Sequence, residues 1–385
     1  MSKISAVILA AGQSSRMGRF KPLLPLGGQT VIQRTIGLFK IAGVEDVRVV
    51  VGHRADELRP MVEKAGAISL FNADFDKAMF SSVLVGIKSF EPDIEAFFIL
   101  PADVPLVRPA TLQAMIDGYR QVKDRVIHPC FKGERGHPPL IPSSTAQRVL
   151  EWKGRGGLKA VFSQIEVQEL EVEVADRHIL FDLNTPDDYD EALTRWRHYH
   201  IPALDECEAI LTRILRVEDN LILHSRAVSE LTTLLARRLD QAGLPIDASL
   251  AARAALLHDL AKGHPRHDEE GGRLLRRMGF SLAAEIVEAH IDIDLEERKG
   301  IGEAELVYLA DKLILGTRLV SLEKRFEAGL KRFGRDPEIG PVIEQRLNNA
   351  RMIKHLVEAT IGQTVENLME NEAAEFDALV MDAHG

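Results

Sequence analysis

The spacing of hydrophobic positions changes near residue 200, and this change predicts two domains. Before that point, short apolar runs typical of buried strands alternate with segments of helical periodicity. The runs begin at Val7, Val47, Ile68 and Ala96. This alternation predicts an α/β domain over 1–200 with a doubly wound, largely parallel sheet. Beyond it only helical periodicity remains, so we expect 201–385 to form an all-α domain.

The first predicted strand runs directly into a loop of small and basic residues. From Gly12 to Lys21 the chain reads Gly-Gln-Ser-Ser-Arg-Met-Gly-Arg-Phe-Lys. A loop of this kind brings backbone N–H groups and cationic side chains close to phosphate groups. Its spacing fits neither the P-loop pattern nor the dinucleotide-binding glycine pattern, so neither a P-loop ATPase nor a dehydrogenase is predicted.

Asp103 follows the strand predicted to begin at Ala96 and is itself followed by Val104 and Pro105. In doubly wound sheets, ligands bind beyond the carboxyl ends of the strands, where the opening loop and Asp103 would both lie. A carboxylate in that position is suited to Mg²⁺, which neutralises a nucleoside triphosphate.

The opening segment resembles the signature of the nucleotidyltransferases that act on molybdopterin, L-A-[AG]-G-x-S-x-R-M-G-x-x-K. Four later segments also resemble that family: Asn72 with Ser81-Ser82, Asp103-Val104-Pro105, Gly136-His137-Pro138-Pro139 and Phe181-Asp182-Leu183-Asn184-Thr185-Pro186. The resemblance spans about half of the chain, from residue 1 to about 196.

The resemblance implies transfer of a nucleotidyl group to a molybdopterin-type cofactor, with release of pyrophosphate. Arg16 and Lys21 would neutralise the triphosphate, and Asp103 would hold Mg²⁺ with help from Asp182 or Asn184. Gly136 and His137 would border the acceptor. The implied nucleotide-binding residues are Leu9, Ala10, Ala11, Gly12, Ser14, Lys21, Asn72 and Ser82.

Two features favour CTP as the donor over GTP. Ala11 stands where guanylyl-transferring members tend to carry glycine, and the Gly136-His137-Pro138 loop is more typical of cytidylyl-transferring members. The fold alone does not fix the acceptor, so a sugar-phosphate or polyol-phosphate acceptor stays open as an alternative. The resemblance also allows a molybdoenzyme or its maturation factor as a partner.

The second half contains histidines and aspartates in an order typical of a metal site. They are His224, the adjacent pair His258-Asp259, His267, His290 and Asp311. Imidazole and carboxylate ligands suit Fe, Mn, Co or Zn. Two adjacent ligands on a helix could serve neighbouring metals, with the aspartate as a bridge.

This order resembles the HD superfamily of metal-dependent phosphohydrolases, and Lys262 resembles the basic residue that many members place near the scissile phosphate. The resemblance implies a hydrolase with one or two transition metals, whose substrate the sequence does not identify. A regulatory nucleotide-binding module that retains the ligands but hydrolyses nothing is the alternative.

Composition and charge narrow the choice of partners. A net charge of −10 argues against non-specific nucleic-acid binding. No apolar run approaches the roughly eighteen residues of a membrane span, and the first residues lack a signal-peptide cleavage site, so we expect a cytoplasmic protein without membrane contact. Cys130 and Cys207 suit neither a disulfide framework nor a zinc site.

Overall fold

The computed structural model describes residues 3–154, 156–164, 167–295 and 300–371. It contains two compact units, Met1–Tyr199 and His200–Gly385, which we describe separately. No helix in the described residues is long and apolar enough to cross a membrane.

Among the described residues, ten strands belong to the first unit and two to the second. In chain order they are β1 (Ile4–Ala10), β2 (Pro25–Leu26), β3 (Gln29–Thr30), β4 (Asp46–Val51), β5 (Ile68–Phe71), β6 (Ala96–Pro101), β7 (Val126–Phe131), β8 (Glu134–Arg135), β9 (Leu140–Pro142), β10 (Glu169–Glu173), β11 (Ile314–Leu315) and β12 (Arg318–Leu319).

Seven α-helices lie in the first unit: α1 (Val31–Ile41), α2 (Ala55–Lys64), α3 (Met79–Lys88), α4 (Pro109–Gln121), α5 (Ala146–Glu151), α6 (Gly157–Gln164) and α7 (Pro186–Arg197). The second unit contains α8 (Leu204–Ala209), α9 (Asp219–Gln241), α10 (Ala248–Leu257), α11 (His267–Arg277), α12 (Ser281–Glu288), α13 (Glu303–Leu313), α14 (Leu322–Phe333) and α15 (Ile339–Ile361). Residues 365–371 are also helical.

The main sheet has eight strands in the order β10-β7-β9-β6-β1-β4-β5, with β8 paired to β7. The pairs β1–β4, β1–β6, β4–β5 and β7–β10 are parallel, whereas β9 runs antiparallel to both β6 and β7. The prediction of a mostly parallel α/β sheet followed by a helical domain is confirmed, and the antiparallel β9 is an addition to it.

The central position of β1 determines where a ligand can bind. Every residue of β1 from Ser5 to Ala10 is buried, because β4 and β6 flank the strand and helices cover the sheet. The chain passes from β1 to β4 on one side, while β6 lies on the other. The loops after β1 and β6 therefore meet at a topological switch point, where the Ala102 N–H donates to the Leu9 carbonyl at 3.0 Å.

The second unit is built around α9, α10 and α13. Helix α10 is almost entirely alanine and leucine, so neighbouring helices can approach it closely, and six of its ten residues are buried. Every residue of α13 from Ala304 to Leu313 is buried. The short β11–β12 hairpin follows α13 and is an exception to the prediction of an all-α domain.

Candidate nucleotide site and candidate metal centre

A cavity of about 310 Å³ opens beyond the carboxyl ends of β1 and β6. Its walls come from the loop after β1, the loop after β6 and the start of α3. The predicted site residues among its lining are Leu9, Ala10, Ala11, Gly12, Ser14, Arg16, Lys21, Ser82 and Asp103. The structure thus brings residues from three separate stretches of the sequence to one cavity.

The loop after β1 turns at Ser14, whose backbone is in the left-handed conformation. Ser14 has a φ of 56°, and a short 3₁₀ turn follows over Ser15–Met17. The Met17 side chain is buried, and the Ser14 hydroxyl accepts a hydrogen bond from the Lys21 N–H at 3.2 Å. These contacts close the loop on itself, so that Arg16 and Lys21 both face the cavity.

The Lys21 ammonium contacts three oxygen atoms at this site. Its ammonium lies 3.1 Å from Asp103 Oδ2, 2.5 Å from the Leu183 carbonyl oxygen and 3.4 Å from Asn184 Oδ1. Arg16 donates to the same Asn184 oxygen at 2.9 Å. The two cations therefore converge beside the carboxylate of Asp103, with Asn184 between them.

Asp182 and His137 border this group without lining the cavity. The pKa of Asp182 is raised by partial burial and by the negative charge of Asp103. The pKa of His137 is lowered by burial, although Asp182 and Asp103 oppose this shift. Two neighbouring carboxylates form a donor set that a divalent cation would stabilise.

Asn72 does not line the cavity but contacts Ser82, which does. Its buried amide donates to the hydroxyl oxygens of Ser81 at 2.9 Å and Ser82 at 3.0 Å, and its carbonyl oxygen accepts from the Asp74 N–H. Ser82 lines the cavity, whereas Asn72 does not. The structure therefore gives Asn72 a positioning contact to Ser82.

Gly136 has a packing reason to be glycine. A Cβ atom at this position would lie 2.4 Å from the carbonyl oxygen of Ile179. The backbone on both sides is held closely, since the Gly136 N–H donates to Pro129 and the His137 N–H donates to Ile179. This close approach accounts for the glycine without any ligand.

In the second unit, the six predicted metal ligands form one cluster. The ring centroids of His224 and His258 are 5.3 Å apart, those of His258 and His290 are 5.1 Å apart, and those of His290 and His267 are 5.3 Å apart. The two aspartates lie along this row of imidazoles. Ligand atoms of His224, His258 and Asp311 lie within 4.8 Å of one another, as do those of His258, Asp259 and His290.

The carboxylate of Asp259 has His258 near one oxygen, and His267 and His290 near the other. Its Oδ1 lies 3.3 Å from His267 Nε2 and 3.5 Å from His290 Nε2, while its Oδ2 lies 3.5 Å from His258 Nε2. At the other end, Asp311 Oδ1 lies 3.3 Å from His224 Nε2 and 3.6 Å from His258 Nε2. This division would let Asp259 bridge two cations.

Backbone carbonyls fix the orientation of three imidazoles. His224 Nδ1 contacts the Gly316 oxygen at 2.9 Å, His258 Nδ1 contacts the Ala255 oxygen at 2.7 Å, and His290 Nδ1 contacts the Val287 oxygen at 2.5 Å. Each Nε2 is thereby left as the atom that can ligate a metal. The Nε2 atoms of His258 and His267 are buried and find no hydrogen-bond partner among the described residues, which fits a role as ligands of a cation.

The electrostatics of the cluster also suit a cation. Burial opposes ionisation of Asp311, but Lys312 and the imidazoles of His224 and His258 hold its pKa well below the ordinary value. Burial likewise opposes ionisation of Asp259, and contacts with His267 and His290 outweigh it. Both carboxylates are therefore ionised at neutral pH, as metal ligands must be.

The adjacent pair His258-Asp259 was expected on a helix, and the structure places it elsewhere. Helix α10 ends at Leu257, so His258 and Asp259 lie in the turn that follows it instead of within the helix. The backbone tightens there into turns, in which the Lys262 N–H donates to the Asp259 carbonyl at 2.9 Å. His290 similarly lies just beyond the end of α12.

Lys262 lies beside the cluster, with its ammonium 3.0 Å from Asp259 Oδ2. Sequence reasoning missed two further cations, Lys312 and Arg325. Lys312 is buried and contacts Asp311 Oδ2 at 2.6 Å; its position directly after Asp311 was a signal that could have identified it. The Arg325 guanidinium lies 3.9 Å from Asp311 Oδ1, and no local pattern points to it.

Comparison with known families finds a match for each unit. Residues 6–170 match the family model described as "MobA-like NTP transferase domain", and residues 221–315 match the model described as "HD domain". The first match covers the residues that line the cavity and ends before Asp182. The second covers all six histidines and aspartates of the cluster and ends before α14.

Curated relatives match the first unit. The molybdenum cofactor cytidylyltransferase of Escherichia coli (strain K12) is 26% identical over 201 residues, which cover 51% of this chain and 98% of that protein. The bifunctional protein GlmU of Geotalea daltonii is 31% identical over 145 residues. The match to GlmU covers 37% of this chain and 32% of that protein.

Solved structures resemble about half of the chain. A nucleotidyl transferase from Methanothermobacter thermautotroptrophicus has 26% sequence identity and a TM-score of 0.46, covering 51% of this chain and 99% of that one.

Proposed function

We propose that this chain, which carries a MobA-like NTP transferase domain followed by an HD domain, combines two enzymatic activities. The first domain transfers a cytidylyl group from CTP to a molybdopterin-type cofactor and releases pyrophosphate. The HD domain hydrolyses a phosphate ester or anhydride with the aid of bound metal. The convergence of Lys21, Arg16 and Asp103 on one cavity carries the first assignment, and the row of four imidazoles and two carboxylates carries the second.

The N-terminal cavity is suited to stabilising charge during nucleotidyl transfer. Lys21 and Arg16 place two positive charges where the β- and γ-phosphates of the donor would lie, beside the loop that begins at Gly12. A phosphate of the acceptor is already a nucleophile, so the reaction requires alignment of the two substrates and stabilisation of the departing pyrophosphate. No general base is required from the protein.

Asp103 and Asp182 are the residues that would hold Mg²⁺. Partial burial, and after it the negative charge of Asp103, raises the pKa of Asp182. Bound Mg²⁺ would neutralise charge on the triphosphate and on the group that leaves. Lys21 now contacts Asp103 directly, so binding of a metal-nucleotide complex would shift this ammonium towards the phosphates.

Similarity supports the donor and the acceptor. The chain covers 98% of the Escherichia coli molybdenum cofactor cytidylyltransferase, and Ala11 lines the cavity. His137 lies close enough to Asp182 and Asp103 for their charges to oppose the burial that lowers its pKa. We infer that the Gly136-His137 segment borders the acceptor and that a molybdoenzyme or its maturation factor receives the product.

A screen of donors against acceptors tests the transferase. Purified full-length protein with Mg²⁺ is incubated with CTP and either a molybdopterin-type cofactor or a panel of sugar and polyol phosphates, and pyrophosphate release is followed. We expect release only with the pterin acceptor. Transfer to a sugar or polyol phosphate without transfer to the pterin would establish the alternative acceptor class.

The HD domain has the donor set for one or two transition metals such as Fe, Mn, Co or Zn. His224, His258 and Asp311 would hold one ion, and His267 and His290 a second, with Asp259 between them. Metal bound there would lower the pKa of a water molecule and polarise a phosphoryl group. Lys262, whose ammonium lies beside Asp259, would neutralise charge on the phosphoryl oxygens.

A hydrolysis panel separates an enzyme from a regulatory module. Full-length protein loaded with Mn²⁺ is assayed against nucleotides and simple phosphoesters, with Asp259→Ala as the inactive reference. Hydrolysis that disappears in the variant supports the phosphohydrolase. Tight nucleotide binding without turnover in the wild type would instead establish the regulatory alternative.

A further inference from the structure

The inner face of α14 directs one arginine at the metal cluster. Arg325 lies one turn into the helix, and its guanidinium Nη2 is 3.9 Å from Asp311 Oδ1. Other charged residues of the helix make exposed pairs, such as Lys324 with Glu327 at 2.8 Å and Glu323 with Arg351 at 3.0 Å. Arg325 therefore differs from these neighbours, because its side chain points towards Asp311 and not towards an exposed partner.

Arg325 makes an incomplete contact with Asp311. A separation of 3.9 Å is longer than a hydrogen bond, and Asp311 already has closer partners. Its Oδ2 receives the Lys312 ammonium at 2.6 Å, and its Oδ1 faces the imidazoles of His224 and His258. Asp311 therefore does not need Arg325 to balance its charge, and the position of Arg325 has another explanation.

The donors of Arg325 are also not fully used. Its Nε is buried and has no hydrogen-bond partner in the part of the chain that the structure describes. Leaving a buried donor unpaired is unfavourable, so such a group is expected to find a partner when a ligand binds. A guanidinium offers a rigid fork of N–H groups that matches the oxygens of a phosphate.

Positively charged side chains lie beside both carboxylates of the cluster. Among the described residues, the carboxylates of Asp259 and Asp311 are approached by the cations Lys262, Lys312 and Arg325. Divalent metal ions would add further positive charge, so the cleft would attract an anion. Lys262 lies at the Asp259 end of the row of imidazoles and Arg325 at the Asp311 end.

We propose that Arg325 binds a phosphoryl oxygen of the HD-domain substrate, at the opposite end of the metal cluster from Lys262. This proposal rests on the proposed metal-dependent function of that domain. The HD family match ends at residue 315, so Arg325 lies outside the matched segment. The β11–β12 hairpin connects the matched segment to α14. The Gly316 oxygen in the turn of this hairpin contacts His224 Nδ1, and α14, which follows the hairpin, carries Arg325.

Phosphate binding to the metal-loaded protein tests this proposal. Full-length protein is loaded with Mn²⁺, freed of unbound metal and titrated calorimetrically with inorganic phosphate, and its metal content is measured separately. We expect Arg325→Gln to keep its metal but to bind phosphate on the order of tenfold or more weakly, since it loses charge-assisted hydrogen bonds. Arg325→Lys should recover part of the affinity, because a lysine retains the charge without the fork.

Two controls define the outcomes. Arg332→Gln removes an exposed arginine from the same helix and should leave the affinity unchanged. Asp259→Ala supplies the background from any phosphate bound elsewhere in the chain. The proposal is overturned if Arg325→Gln binds phosphate as the wild type does, or if it loses metal together with phosphate. A wild-type protein that takes up no metal would instead overturn the proposed HD function on which this inference depends.

Discussion

Lys21 connects the opening loop to Asp103 and to the segment around Asn184, and its role can be tested directly. Lys21→Ala should reduce nucleotidyl transfer by about 10²-fold or more, because it removes charge stabilisation that strengthens as pyrophosphate departs. Steady-state rates of pyrophosphate release measure the effect. Lys64→Ala, which removes an exposed lysine of α2, is the matched control. A Lys21→Ala protein that transfers at the parent rate would show that the loop does not bind the triphosphate.

Two glycines near the cavity should respond differently to the same substitution. A Cβ at Gly12 would meet no atom within 4 Å, and this residue lines the cavity. A Cβ at Gly52 would lie 2.4 Å from the Phe75 Cβ and 2.9 Å from the Ala11 Cβ. Gly12 is therefore free of packing constraints, whereas Gly52 is required by the fold.

We predict that Gly12→Ala keeps its melting temperature and loses on the order of tenfold in nucleotide affinity, because the added methyl group occupies ligand space. Gly52→Ala should lower the melting temperature, since it overpacks the interior. Thermal denaturation and equilibrium binding of CTP measure the two effects. Unchanged CTP binding in Gly12→Ala would place the triphosphate away from the loop.

At the scale of elements, the geometry of the histidine–aspartate cluster depends on where the helices end. His258 and Asp259 follow the end of α10, and His290 follows the end of α12, whereas His224 and Asp311 lie within α9 and α13. Turns at helix ends free the side chains to converge from different directions while the helices themselves remain packed. The cluster is therefore built on rigid elements, with its central aspartate in a turn.

Asp259→Ala should abolish metal retention at physiological pH, because this carboxylate lies between His258 and His267. Elemental analysis of full-length protein after incubation with Mn²⁺, Fe²⁺ and Zn²⁺ measures it. Glu285→Ala, which alters an exposed carboxylate on α12, should retain the wild-type metal content. Full metal content in Asp259→Ala would exclude the bridging role.

Local patterns predicted the elements well and the contacts between distant residues less well. The buried runs at Val7 and Ala96 identified β1 and β6, because a strand buried on both faces is a continuous apolar run. The antiparallel β9 could not be foreseen, since pairing with β6 and β7 depends on long-range register. Arg325 was missed for the same reason: its proximity to Asp311 arises from the packing of α14 against α13, which no motif encodes.

At the scale of the molecule, the two candidate sites lie in separate compact units and use separate residues. Their activities should therefore be lost independently. Asp103→Asn should abolish Mg²⁺-dependent transfer and leave metal-dependent hydrolysis intact, while Asp259→Ala should do the reverse. Both activities are measured on each full-length variant. Equal loss of both in either variant would indicate one shared site.

The most direct measurement is pyrophosphate release by the full-length protein, with Mg²⁺ and a molybdopterin-type acceptor, when CTP and GTP are supplied separately. A pocket with polar groups placed for one base leaves those groups unpaired with another, so donors can differ greatly in efficiency. We predict that CTP supports the higher kcat/KM and that Lys21→Ala loses the reaction with CTP. Higher efficiency with GTP, or no release with either nucleotide, would contradict the account.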